Sequence, residues 1–164
     1  MKIPLFFLLW FVGGQANSAL HLSRQWSRST LQSPYLGFRA NQAMPPLLTD
    51  HQVVQGNAVD GIQVYDRKNG RLQWEMKLKG GVEGGVALSE DRLFFGSNNG
   101  YFYSVNLHSG HIHWKTFLGS ESLTRPLVHD KWVYHVTGNN TLYALDRKTG
   151  KSVWVKTNGA KSNM

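Results

Sequence analysis

Past residue 20 the apolar positions come in short runs rich in Val, Leu, Tyr, Phe and Trp, and Gly, Asn and Asp break the runs apart. That is the periodicity of strands, and no stretch there carries the spacing of an amphipathic helix. Towards the C-terminus the pattern predicts four strands, at Arg125–His129, Trp132–Thr137, Leu142–Asp146 and Ser152–Lys156. The beginning of the chain differs. Lys2 precedes the apolar run Ile3–Val12, and Gly13–Ala19 supplies small residues with cleavage points after Ala16 or Ser18. As a helix the apolar run reaches about 15 Å, half of the roughly 30 Å hydrocarbon core of a bilayer. Residues 1–19 are therefore expected to be a secretory signal peptide rather than an anchor, with the mature chain soluble and extracytoplasmic.

The strand pattern repeats. Trp74, Trp114 and Trp154 are spaced by 40 residues, as are Gly70, Gly110 and Gly150, and Asp66, Asn106 and Asp146. The segments YDRKNGRLQW (65–74), VNLHSGHIHW (105–114) and LDRKTGKSVW (145–154) align without a gap. The same frame matches Pro46 with Pro126, Gly56 with Gly96, and Val53-Val54 with Leu93-Phe94 and Val133-Tyr134. Four short strands in about 40 residues are the size of one β-propeller blade. The expected fold is all-β, a partial β-propeller of about three four-stranded antiparallel blades over 43–157, with 20–42 as linker or closing strand and 158–164 as a tail.

Each conserved-in-frame position has a mechanical reading within the repeat. Asp or Asn at the start of the turn accepts backbone amide hydrogen bonds just ahead of it, and Gly at its end supplies the positive φ that closes the hairpin. The Trp four residues later lies on the outermost strand, where its ring can cover the junction with a neighbouring blade. An aromatic ladder for sugars or nucleobases is the competing reading; recurrence in every repeat favours the structural one. Three blades cannot close a ring, so the outer faces of the first and third are expected to expose apolar surface and to favour self-association.

The motif D-x-x-T-G-x-x-x-W, complete in Asp146, Thr149, Gly150 and Trp154, resembles the blade motif of PQQ-like β-propellers. The stretch 119–157 and the GG-V-x-GGVAL run at 80–88 are similar to the BamB family of outer-membrane assembly factors, the LTRPLV element after a GSE turn most specifically. The likeness covers about residues 26–157. It implies a periplasmic scaffold of eight blades that assists the β-barrel assembly machinery, whose outer-membrane protein would be the partner. Three repeats are fewer than eight, so the chain is either the leading piece of a longer frame or a shortened relative.

Composition narrows the chemistry. The chain has no Cys, which excludes disulfides, thiolate metal sites, thiol nucleophiles and a lipid-bearing cysteine anchor. Lys and Arg number 18 against 10 Asp and Glu, a net charge of +8, and much of it recurs in the turns as Arg67-Lys68, Arg71, Arg147-Lys148 and Lys151. Such an arc of basic tips admits a weak contact with anionic lipid, although solvated turns are the commoner explanation; no base-reading motif supports nucleic acid. His108, His111 and His113 cluster, but their counterparts Lys68, Arg71 and Gln73, and Lys148, Lys151 and Val153, are surface turn positions, so no metal site is assigned. His135, matching Phe95 and Gln55, reads as a strand residue. No cofactor and no catalytic group are expected, since Asp66 and Asp146 serve turns and Glu90, Asp91 and Asp130 fall in hairpins.

What remains as a candidate site is the connection Gly119–Pro126. Leu123 offers an apolar anchor and Arg125 a planar fork suited to a carboxylate. Both could equally seal the junction between blades. The expected function is a non-catalytic periplasmic scaffold, outer-membrane associated, in β-barrel protein assembly; the alternatives are a generic exported PQQ-like binding protein and a fragment of a PQQ-dependent dehydrogenase.

Overall fold

The computed structural model describes residues 24–29 and 44–157. The signal peptide expected at 1–19, most of the 20–42 segment and the 158–164 tail lie outside the described residues. Among the described residues twelve strands form three separate sheets of four. The first holds β1 (Leu47–Leu48), β2 (Gln52–Asn57), β3 (Gly61–Asp66) and β4 (Leu72–Lys77). The second holds β5 (Ala87–Ser89), β6 (Arg92–Gly96), β7 (Tyr101–Asn106) and β8 (Ile112–Phe117). The third holds β9 (Leu127–His129), β10 (Trp132–Val136), β11 (Thr141–Asp146) and β12 (Ser152–Thr157). Every sheet is an antiparallel meander in chain order, so each repeat is one blade.

Side-chain alternation decides how the blades stack. On β6 and β7, Leu93, Phe95, Tyr103 and Val105 point to the first blade and join Val54, Ile62, Val64 and Val82 in one buried cluster. Phe94 and Phe102 point the other way and pack with Trp114, Val133 and Leu145 of the second junction. The middle blade is thus apolar on both faces, as a strand pair buried from two sides should be. Among the described residues the third blade is covered on one side: all six residues of β12 are exposed, Trp154 at 45% and Val155 at 50%.

The outer strand of each blade carries the same irregularity. Val64 pairs with Trp74 but Tyr65 with Leu72, and the slip recurs at Ser104/Val105 and Ala144/Leu145. One residue, Gln73, His113 or Val153, is looped out each time. A bulge re-aims the residue beside it, which here is the tryptophan.

Candidate functional site

The junctions are built from the recurring turn and the tryptophan of the preceding blade. Asp66 Oδ1 accepts from the amides of Lys68 and Asn69 at 2.9 and 3.0 Å, and Asn106 and Asp146 do the same in their turns. The hydroxyl and amide of Thr149 hold the Asp146 carboxyl below its ordinary range. Gly70, Gly110 and Gly150 take φ of 68°, 71° and 70°. A Cβ there would also strike an indole: a side chain at Gly110 would meet Trp74 at 2.9 Å, and one at Gly150 would meet Trp114. Trp74 Nε1 donates to the Leu107 carbonyl at 2.8 Å and Trp114 Nε1 to the Arg147 carbonyl at 3.0 Å. Each indole is therefore seated flat on the next turn and pinned by one hydrogen bond. The Trp114 junction has two further polar ties: Thr116 Oγ1 donates to the Gly150 carbonyl at 2.6 Å, and Arg147 reaches Ser89 and Glu90 at 3.0 and 3.2 Å.

The first blade differs from the expectation of an open face. Its turn is already occupied, by Trp26: the indole lies over Gly70, Nε1 donates to the Arg67 carbonyl at 2.8 Å, and Arg28 Nε donates to the Gly70 carbonyl at 2.9 Å. On the same blade Gln63 and Tyr65 are buried at 1% and 5% exposure. Burial, with Glu75 nearby, raises the Tyr65 phenol above its ordinary pKa. The repeat frame would place such a tryptophan at position 34, which is Pro34, so the shift hid Trp26 from the sequence.

The inter-blade connection that holds Leu123 and Arg125 is rigid at its centre and open at its tips. Ser122 is 1% exposed, and its Oγ lies 3.0 Å from Nε2 of the equally buried His135. Gly138 donates its amide to the Glu121 carbonyl at 2.8 Å, and Thr124 Oγ1 donates to the Val136 carbonyl at 2.9 Å. On the other side Gly84 runs so close to Ser122–Thr124 that a Cβ would lie 2.5 Å from the Thr124 amide nitrogen. Between these fixed points Leu123 is 52% exposed and Arg125 is exposed, bordering a small cavity of about 80 Å³ with Pro45, Pro46, Leu47 and Val86. The pair is held outward on a braced loop. His135, which reads as a plain strand residue in the sequence, is the brace, and burial pushes its pKa down to about 4.

The remaining candidates are dispersed. His111 and His113 lie with ring centroids 5.8 Å apart and both exposed; His108 pairs with Asp91 at 3.3 Å. Among the described residues no three His, Asp or Glu side chains converge on one point. The acids that a calcium-bearing quinone site would draw on are divided between hairpins: Glu90 is taken by Arg147, Asp91 by His108, and Asp130 sits beside His129. Glu90, Asp91 and Asp130 therefore do not converge on one site.

Stacked four-stranded meanders with a tryptophan seated on the following D/N-x-x-x-G turn define a β-propeller of the PQQ-like class. The family model of outer membrane protein assembly factor BamB matches residues 58–164, and the chain belongs to that family. BamB of Yersinia pestis is 34% identical over 73 residues, 44% of this chain and 19% of that relative. The crystal structure of BamB from Moraxella catarrhalis superposes with a TM-score of 0.63 at 19% identity, over 74% of this chain and 37% of that one. A quinohemoprotein alcohol dehydrogenase of Pseudomonas putida HK5 shares the fold at a TM-score of 0.65, 18% identity and 74% coverage, reaching 21% of its own length. The chain thus spans well under half of the relatives it matches.

Proposed function

We propose that the chain is a non-catalytic scaffold for the assembly of outer-membrane β-barrel proteins, acting in the periplasm and docking the barrel-assembly protein through the 119–126 connection. Family membership supports the setting. The observation that carries the docking site is the exposure of Leu123 and Arg125 on a loop braced by the buried Ser122–His135 pair. A pre-ordered loop loses little conformational entropy on binding, and an apolar anchor beside a guanidinium suits a partner surface with a carboxylate next to an apolar pocket. The exposure of Leu123 and Arg125 between the buried Ser122 and Pro126 favours docking over sealing of the junction. The resemblance to quinoprotein dehydrogenases rests on fold, which does not carry function by itself. In the test, a Leu123→Ala, Arg125→Ala double variant loses pull-down of the barrel-assembly protein while its circular dichroism and melting curve stay those of the parent. Undiminished pull-down, or loss of folding together with binding, removes this loop as the docking site.

A further inference from the structure

Where the chain leaves the first blade and where it leaves the second, the 40-residue frame places a cavity, and the two differ in charge. At the exit of the first blade Asp60, Lys77 and Lys79 line a space of about 230 Å³. At the exit of the second, a space of about 480 Å³ has Phe117 and Gly119 at the positions of those two lysines, and Glu121 and Asn139 line it with them. None of its described lining residues is Lys, Arg or His, in a chain of net charge +8. We infer that this second cavity takes an arginine side chain presented by a peptide, the guanidinium lying on the Phe117 ring and paired with the Glu121 carboxylate.

The walls are ordered by the blades on either side. Phe117 ends β8 opposite Tyr101 and meets that ring at 5.0 Å between centroids, yet stays 64% exposed. Its edge rests on Gly100, where a Cβ would stand 3.0 Å from Cε2, and the Leu118 amide donates to the Gly100 carbonyl at 2.8 Å. Glu121 lies across Gly138 in the same manner. A Cβ there would stand 2.7 Å from Cγ and 3.1 Å from Oε1, and the Gly138 amide donates to the Glu121 carbonyl at 2.8 Å. Bare backbone on two hairpins thus lets a ring and a carboxylate flank one space. Among the described residues the Glu121 carboxylate has no ion pair and accepts no hydrogen bond. Asn139 Oδ1 is fixed by the Thr137 hydroxyl at 2.7 Å and keeps a second lone pair for an N–H donor.

An aromatic face beside an unpaired carboxylate and an amide oxygen is a receptor for a cation, and the geometry selects among cations. A guanidinium is flat, stacks on a ring and carries five donors in a fixed fork, whereas an ammonium is a compact and strongly hydrated point charge. A free arginine would bring its own carboxylate up to Glu121; within a peptide that charge is absent. At the exit of the first blade the chain's own lysines stand beside a carboxylate, and Lys115 already lies over the Tyr101 ring at 5.1 Å. The second cavity keeps the acid and the ring and leaves the cation to another molecule.

The inference goes beyond the docking of the barrel-assembly protein, and its test does not involve that protein. In an amide-resolved NMR titration of the isotope-labelled full chain, the peptide N-acetyl-Gly-Arg-Gly-amide should move the Gly100, Gly119 and Gly138 amides along one saturable curve. The same peptide with neutral citrulline should bind about tenfold more weakly, and the lysine peptide about threefold more weakly. Glu121→Gln should weaken the arginine peptide by about tenfold and Phe117→Leu by about threefold, each with parental circular dichroism, since both side chains are exposed. The Leu123→Ala, Arg125→Ala variant should bind the peptide like the parent, which separates this site from the docking loop. No saturable shift of these amides, a citrulline or lysine peptide bound as tightly, or indifference to either substitution would overturn the inference. Loss of peptide binding in the Leu123→Ala, Arg125→Ala variant would overturn it equally, by placing the peptide on the loop.

Discussion

His135 is a neutral imidazole enclosed by Phe102, at 4.8 Å between ring centroids, and by Ser122. Among the described residues its Nδ1 has no hydrogen-bond partner, so a proton gained there would be a buried charge without compensation. Burial lowers the folded pKa to about 4, while the unfolded chain takes up that proton near 6.5. Between those values the unfolded state binds more protons, so this group's contribution is intact above pH 6.5 and is lost as the pH falls towards 4. Chemical denaturation at pH 7.5 and 4.5 should show the parent losing ~2–3 kcal/mol more than His135→Asn, which has no such titration. Equal losses would mean that the imidazole is hydrated in the folded chain. The tryptophans make a second contrast at this scale. Trp114, 9% exposed, should cost about 3–5 kcal/mol on truncation to Ala, and Trp154 about 1 kcal/mol or less. Similar costs for both would refute the seating of Trp114 between blades.

At the scale of the element, the turn was legible in one chain because it is local and repeated. Asp146 and Gly150 are four residues apart and their hydrogen bonds close within the turn, so the residue types imply the geometry. The looped-out Gln73, His113 and Val153 share no side-chain type, which is why the strand pattern conceals the bulge that turns each tryptophan. The Ser122–His135 brace was hidden for another reason. Its counterparts in the preceding repeat are Val82 and Phe95, so comparison between repeats points to an ordinary strand position and away from a polar pair. Trp26 was hidden by register. The turn itself gives a sharp prediction: Gly110→Ala should destabilise by more than about 1 kcal/mol, because φ of 71° is disfavoured for alanine and the Trp74 ring occupies the space. A neutral Gly110→Ala, measured by denaturant midpoint, would show that Trp74 does not rest on this turn.

Across the whole molecule, strand direction separates two rims. The Asp/Asn-to-Gly turns and their basic residues lie at one end of the strands, and the inter-blade connections, including 119–126, lie at the other. The core and the ladders fix the blades, which leaves recognition to the connections. That Leu123 and Arg125 belong to a connection could be seen in the sequence; that they point outward could not, since it depends on Gly84 and His135 holding the loop from two sides. The central claim is that the braced rim meets the barrel-assembly protein, and site-specific photo-crosslinking in cells tests it most directly. A crosslinking residue at position 123 should yield an adduct with that protein, and one at Ser109, on the opposite rim, should not. An adduct from 109 and none from 123 would contradict the account.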